Sequence, residues 1–281
     1  MYSEQSTTTA SDYEFLRRVV FDQSQNVLEP ARDYLFETRL ARLVRNENLS
    51  SLDQLVAHMR TRRSPRLERV VAEAMTINET SFFRDGRPFE LLKSVVLPAL
   101  IERRRAQRSL HLWSAASSSG QEAYSLAMLI RESFPELASW KIRIEGTDLS
   151  SEMVEKAQQG RYHRIEINRG LPVLNVVRYF DHTGEDWFAK PELRRLCNFR
   201  VANLCQSLPF HEPFDIILLR NVMLYFSDDT RRTLLREIHR LLTPDGYLFL
   251  GSSEQPIEPV LWQTLLTGGT CHYQPRQTST A

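Results

Sequence analysis

The stretch that most constrains this chain is Leu110–Tyr124, LHLWSAASSSGQEAY. An apolar run of strand length passes into a turn of nothing but small residues, and a helical pattern follows. Ala115, Ala116, Ser117, Ser118, Ser119 and Gly120 carry almost no side-chain bulk. A ligand can therefore approach the backbone where the next helix exposes its unpaired N–H groups, the arrangement that suits a nucleotide. Close packing of strand on helix explains the same residues. Gly120 is the only glycine, so the dinucleotide pattern G-x-G-x-x-G is absent.

Beyond this turn the periodicity alternates. A helix over 121–133 turns Ala123, Leu126, Ala127 and Ile130 to one face, a strand Lys141–Thr147 ends at Asp148, and a helix Glu152–Gln158 follows. A carboxylate at the carboxyl end of the second strand of an open α/β sheet is placed to accept from both ribose hydroxyls. Asp148 also suits the N-cap of the next helix, a task that Ser150 fills equally well. Strands are expected at Phe199–Leu204, Asp215–Leu219 and Tyr247–Gly251, with a possible last one at Thr270–Gln274. The helix Asp229–Leu242 directs Leu234, Leu235, Ile238, Leu241 and Leu242 to the sheet and stops at Thr243-Pro244-Asp245-Gly246. Gly160–Asn198 breaks the alternation with turns at Asn168-Arg169-Gly170 and His182-Thr183-Gly184 and reads as an inserted subdomain. The whole is a doubly wound sheet whose ligand belongs at the carboxyl ends of the strands.

The first third is helical. Apolar residues recur with helical spacing at Phe36–Val44, Leu52–Met59 and Leu67–Ala74, and near Tyr13–Val20. Ser51 with Gln54 resembles a capping box and Pro65 suits a helix start. Residues 1–11 are polar and expected to fray. Arg32, Arg39 and Arg42 form a basic face that suits either solvent or an acidic partner. A helix over Arg87–Arg105, bent at Pro98, leads into the first strand. Between the two regions lies TINETSFFRD (76–85), which suits a capped junction with Phe82 and Phe83 in the core.

Net charge is +1, against a bulk nucleic-acid binder, and the arginine clusters at Arg60–Arg69 and Arg103–Arg108 read as solvated helix faces. The three cysteines, Cys197, Cys205 and Cys271, have no C-x-x-C spacing, so neither a disulfide framework nor a zinc site is indicated and a reducing cytoplasm is expected. No signal peptide and no run of 18 apolar residues occurs.

Four stretches together resemble the CheR family, the chemotaxis-receptor glutamate O-methyltransferases that use S-adenosylmethionine. They are INETSFFRD (77–85), LWSAASSSGQEAYSLAM (112–128), GTDLSSEMVEKAQQGRY (146–162) and DIILLRNVMLYFSDDTRRTLLREIHRLLTPDGYLFLGSSE (215–254). The resemblance implies an α/β class I methyltransferase. Its Rossmann-like doubly wound sheet would occupy 87–281, with a small inserted antiparallel β subdomain at about 161–198, and an all-α receptor-docking domain over 1–86 would precede it. It also implies that Glu122 takes the cofactor's ammonium group, Asp148 the ribose, and Asn203 and Leu204 border the adenine. Asn78, Thr80 and Arg84 would close over the methionine end, and Asn221, Val222 and Tyr225 would surround the methyl. Arg84 and Tyr225 are the candidates for orienting the substrate carboxylate; core packing is the other role open to Tyr225 and Phe226. A glutamate ionised at pH 7 needs no general base, so placement and exclusion of water carry the catalysis.

The resemblance is not complete. The family's turn is Gly-Cys-Ser-Thr-Gly-Glu-Glu-Pro or close to it, and here it is Ala-Ser-Ser-Ser-Gly-Gln-Glu-Ala, with Gln121 for an acid and Ala123 for a proline. Glu122 remains, so cofactor binding is expected. The insert is short and lacks an evident glycine-containing loop, so no tether to a receptor's C-terminal pentapeptide is expected. The implied partner is the cytoplasmic helical region of membrane-embedded chemoreceptors, met by a monomer that neither inserts in the membrane nor binds nucleic acid. Methylation of a non-chemotaxis sensor, and binding of S-adenosylmethionine or S-adenosylhomocysteine without turnover, are the alternatives. The missing second glycine and the spacing to Asp148 disfavour a dehydrogenase.

Overall fold

The computed structural model describes residues 8–276. They divide into two compact units, one of the residues up to Ile77 together with Tyr225–Thr230, the other of Asn78–Leu224 and the residues from Arg231 onward.

The first unit is built from the helices Ala10–Ser24, Tyr34–Asn46, Leu52–Thr61 and Pro65–Ala74. The periodic residues form its core: Leu16, Val20, Phe36, Leu40, Leu55, Val56, Leu67 and Val71 are all buried. Residues 8–11 are not frayed as expected; residues 1–7 lie outside the described residues. Thr9 and Asp12 form a reciprocal capping box, and Thr8 donates to Glu37. The box expected at Ser51 and Gln54 is not made, because Gln54 accepts from the Ser50 N–H instead. Pro65 does open its helix, capped by Ser64. Arg39 is not part of a free basic face, since its guanidinium donates to the carbonyls of Met75 and Thr76 at 3.0 and 2.9 Å. Arg60, expected in solvent, pairs with Asp12 and lies over the Phe15 ring.

The second unit contains ten strands: β1 Ser109–Ala115, β2 Lys141–Asp148, β3 Arg161–His163, β4 Phe180–Thr183, β5 Asp186–Ala189, β6 Cys197–Val201, β7 Phe214–Leu219, β8 Leu242–Leu250, β9 Trp262–Thr267 and β10 Thr270–Pro275. Seven form one sheet in the order β6-β2-β1-β7-β8-β10-β9, parallel from β6 to β8 and antiparallel in the last two. The runs LHLWSA and FDIILL are buried along their length, as parallel strands covered on both faces must be. Order reverses between β1 and β7, so a crevice is expected beyond Ala115, Asp148 and Leu219. The insert supplies β3, β4 and β5, an antiparallel sheet in the order β3-β5-β4.

Several expectations change for physical reasons. Thr243–Gly246 does not separate helix from strand; β8 begins at Leu242, directly after the helix Asp228–Leu241, and a register shift between Phe214 and Ile216 absorbs the irregularity. Arg104, expected in solvent, holds this corner by bonds to Asp215 at 2.7 Å and Asp245 at 2.6 Å. The helix before β1 runs in three pieces from Arg87 to Arg103, with a wide π-helical turn at Leu92–Val96 that accommodates Pro98. Strand β9 went unforeseen because QTLLT has no clear alternation. Its pairing with β10 through Gly268 and Gly269 defines it.

His111 on β1 is buried against Phe214, with Nδ1 3.1 Å from the Pro213 carbonyl and Nε2 without a hydrogen bond, 4.0 Å from Glu145 Oε1. Burial, reinforced by Arg143, lowers its pKa, so the folded protein resists the proton that the unfolded chain accepts near pH 6.5. Above that pH both states are neutral, and as pH falls below it stability declines; burial of His272 acts in the same direction. We expect the thermal midpoint to drop between about pH 7.5 and about 5.5, and His111→Gln to flatten part of that slope in a scanning fluorimetry series. An unchanged slope in the variant would remove His111 from this account.

Candidate functional site

The turn after β1 alternates into left-handed backbone at Ala116 (φ 56°), Ser118 (φ 49°) and Gly120 (φ 91°). The first two conformations cost on the order of 1 kcal/mol each for residues with a Cβ, and a set of bonds offsets them. The Ser117 N–H donates to the Thr147 carbonyl at 2.7 Å, the Ser118 N–H to Asp148 Oδ2 at 2.8 Å, and the Ser118 hydroxyl to the Asn78 carbonyl at 2.8 Å. At Gly120 a Cβ would stand 2.9 Å from Ala157 Cβ and 3.0 Å from the Phe199 ring. Tyr162 donates to the Ser119 carbonyl at 2.8 Å from the insert side. Small residues are thus required by close packing on one flank of the turn, whatever its other flank binds.

Asp148 bridges the two strand ends. Its second oxygen accepts from the Ser150 N–H at 2.9 Å, and Ser150 rather than Asp148 caps the helix Ser151–Gln159. The Ala202 N–H donates to the Asp148 carbonyl at 2.9 Å, which sets Asn203 and Leu204 beside it. Leu204 is buried, and Asn203 Oδ1 accepts from the Cys205 N–H.

Glu122, in the first turn of Gln121–Ser133, belongs to an ionic cluster around the buried Arg220. Its Oε1 accepts from the Ser114 hydroxyl at 2.7 Å and its Oε2 from Arg220 Nη1 at 2.8 Å. Arg220 Nη2 reaches Asp85 Oδ2 at 2.6 Å and the Arg84 carbonyl at 2.9 Å, and the guanidinium lies 6.0 Å from the Phe89 ring centroid. The Arg220 side chain is only 2% exposed. Arg220 was not among the residues singled out from sequence. The available signal was an arginine directly after a strand of six buried residues, where a charge needs partners.

A second carboxylate shapes the loop after β7. Glu254 Oε2 accepts the N–H groups of Asn221 and Gly251, both at 2.7 Å, and Oε1 those of Met223 at 2.8 Å and Leu224 at 3.3 Å. Asn221 is left-handed (φ 59°), and its Oδ1 is buried without a partner. A Cβ on Gly251 would stand 2.9 Å from the Asn221 nitrogen, so this approach requires glycine. Val222 is half-buried between these groups.

The other named residues are distributed as follows. Asn78, Thr80 and Arg84 share one partly exposed loop; Arg84 donates to the Glu79 carbonyl at 2.9 Å, and the Phe83 N–H donates to Ser125 at 2.9 Å. Phe82 is fully buried against Tyr162 and Phe180, whereas Phe83 is half-buried against Phe89. Tyr225 opens the short segment that belongs to the helical unit, where its carbonyl accepts from the Val27 N–H at 2.9 Å. Hydrogen bonds thus unite Asn78 with Asp148 through Ser118, and Arg84 with Glu122 through Arg220. Cys197 and Cys205 are shielded, whereas Cys271 is exposed. Burial raises the thiols of Cys197 and Cys205, the latter to about 11. Among the described residues no His, Cys, Asp and Glu cluster could hold a metal.

Glu254→Gln replaces one acceptor oxygen with a donor that faces two backbone N–H groups. Bonds to a charged acceptor contribute about 1.5–3 kcal/mol each, so urea unfolding is expected to show a loss of roughly 2 kcal/mol or more. Arg220→Met leaves Glu122 without its cation and is expected to cost roughly 3–5 kcal/mol.

The family described as CheR methyltransferase, SAM binding domain, matches residues 78–263, and the one described as CheR methyltransferase, all-alpha domain, matches 11–76. Chemotaxis protein methyltransferase 1 of Pseudomonas aeruginosa is 42% identical over 87% of this chain and 90% of its own. Chemotaxis protein methyltransferase Cher2 of Pseudomonas putida is 40% identical over 92% and 94%, and chemotaxis protein methyltransferase 1 of Vibrio cholerae 39% over 88% and 90%. The sheet order, the small-residue turn and the acid-ended second strand fit that assignment. With an all-α unit followed by a class I methyltransferase sheet, the chain belongs to the CheR family of S-adenosylmethionine-dependent chemotaxis methyltransferases.

Proposed function

We propose that this protein, as a cytoplasmic monomer, transfers methyl groups from S-adenosylmethionine to glutamate side-chain carboxylates in the cytoplasmic helical region of chemoreceptors. The observation that carries the choice of acceptor is the state of the acids around the strand ends. Glu122 and Asp85 are bound to Arg220, and Glu254 and Asp148 accept backbone N–H groups. None of these four is free to serve as a general base. An acceptor that works here is therefore one already nucleophilic at pH 7, and an ionised carboxylate is such a group.

The residues fit the cofactor. Asn221 Oδ1 and Ser117 Oγ are buried without partners, and each Glu122 oxygen holds one donor and retains a lone pair. These are acceptors in want of amino and hydroxyl donors. Glu122 would hold the ammonium group, Asp148 the ribose hydroxyls, Asn203 and Leu204 the adenine edge, and Asn78, Thr80, Arg84, Asn221 and Val222 the remainder. When bound, S-adenosylmethionine supplies an electrophilic methyl on a sulfonium. Arg84 would grip one carboxylate oxygen and orient the other; too strong a grip would blunt the nucleophile. Tyr225 is the second residue proposed to orient the carboxylate. The β4–β5 hairpin closes through Gly184 and Glu185 alone, which supports a reading without a pentapeptide tether. No helix among the described residues is long and apolar enough to cross a membrane.

Calorimetric titration with S-adenosylhomocysteine is expected to show binding by the wild type and at least a tenfold weaker response from Asp148→Ala, about 1.4 kcal/mol. With a soluble receptor fragment, the methyl taken up should be released as methanol by mild base, the mark of an ester. Arg84→Ala should lower kcat by about tenfold or more at saturating S-adenosylmethionine. Methyl transfer to a base-stable linkage would exclude the carboxylate acceptor.

A further inference from the structure

The insert carries an apolar face on the surface of its own fold. Ile165 is 84% exposed, Val173 75%, Leu174 82% and Val177 69%, among the most exposed hydrophobic side chains of the described residues. The last three fall within an arc of about 100° on the helix Val173–Tyr179. The opposite side of that helix is buried through Asn175, Val176 and Tyr179. A helix that is apolar on both sides is ordinarily covered on both.

The surroundings are basic. Residues 161–179 contain four arginines against one acid, Glu166, in a chain whose overall charge is +1; Arg161 is paired with Asp186 and Arg169 with Glu79, which leaves Arg164 and Arg178. Lys156 holds Glu166 at 2.6 Å, so that acid does not offset the arginines. Arg164 makes no ion pair among the described residues, and Arg178 approaches Glu132 only at 3.8 Å with 63% of its side chain exposed. The face also adjoins the proposed acceptor site. Immediately before the helix, Arg169 pairs with Glu79 and Gly170 lies against the Phe82 carbonyl, both in the loop that carries Asn78, Thr80 and Arg84.

We propose that Val173, Leu174 and Val177, with Arg178 beside them on the same helix, form a docking surface for an acidic amphipathic helix of the protein substrate. The partner's apolar stripe covers the three aliphatics, and one of its carboxylates meets Arg178. This rests on the reading above that the acceptor is a glutamate-bearing helical protein. Branched aliphatics at i, i+1 and i+4 suit packing against another helix. The exposed face has no Trp, Tyr or Phe, the residues that anchor a helix at a lipid interface.

The test uses the full chain and a fluorescent soluble hairpin from a chemoreceptor's glutamate-bearing region. Leu174→Ser/Val177→Ser and Arg178→Glu should each weaken binding by anisotropy about tenfold or more, and raise KM for the hairpin with kcat near wild type. S-adenosylhomocysteine affinity should not change in either variant, and the thermal midpoint should hold in Leu174→Ser/Val177→Ser, whose side chains are exposed; Arg178→Glu also gives up the approach to Glu132, so its binding is compared at a temperature well below its own midpoint. The control Val260→Ser/Leu266→Ser, exposed apolar residues of another region, should bind as wild type does. Binding without methylation, lost in the variants, would sustain the docking surface while overturning the acceptor reading. Undiminished binding by the variants, no binding by the wild type, or variant-sensitive binding to anionic phosphatidylserine vesicles in place of the hairpin would overturn the docking surface.

Discussion

The site depends on a buried cation. A guanidinium 98% removed from solvent costs several kcal/mol unless its donors are met, and the three partners of Arg220 come from two separate places: Glu122 after β1, and Asp85 with the Arg84 carbonyl in the loop before the helix at Arg87. Removing any of them leaves charge or donors stranded, so the requirement to pair Arg220 ties that loop and the first helical turn to the end of β7. The cluster of one arginine and two carboxylates carries a net negative charge. That balance favours a cation at the remaining lone pairs of Glu122, the position the ammonium group of the cofactor would take.

Glu254 applies the same chemistry in reverse. Four backbone N–H groups converge on one carboxylate, which holds the loop after β7 in a path that includes a left-handed asparagine. Electrostatic attraction to the fixed anion offsets the strain of that backbone. The orphaned Asn221 amide oxygen is a consequence of that fixed path, and an unfilled acceptor in so constrained a loop is what a ligand donor can use.

The two devices also show where the sequence is legible and where it is not. Continuous apolar runs identify β1 and β7, and helical spacing identifies the core of the N-terminal unit, because both signals are local. Asp148 was legible because a strand's final acid has a position as well as a chemistry. Arg220 and Glu254 were not, because their meaning lies in partners 98 and 33 residues away. Arg39 and Arg104 failed the local reading for the same reason. Each occupies a sequence neighbourhood that suits solvent, yet its guanidinium meets carbonyls or acids brought close only by folding.

The altered turn is explained at the same level. Gln121 is buried, and its side-chain oxygen accepts from the Ser119 hydroxyl at 2.9 Å, closing the turn on itself. A carboxylate in this position would put a second negative charge next to Glu122 in the chain, buried and with no cation bonded to it. An amide keeps the acceptor and removes the charge. Ala123 is buried in the first turn of its helix, where the N–H has no intrahelical acceptor, so proline and alanine are both tolerated there. Neither change touches Ser114, Glu122 or Arg220, and the ionic cluster that would receive the cofactor's amino group is left as the fold requires it.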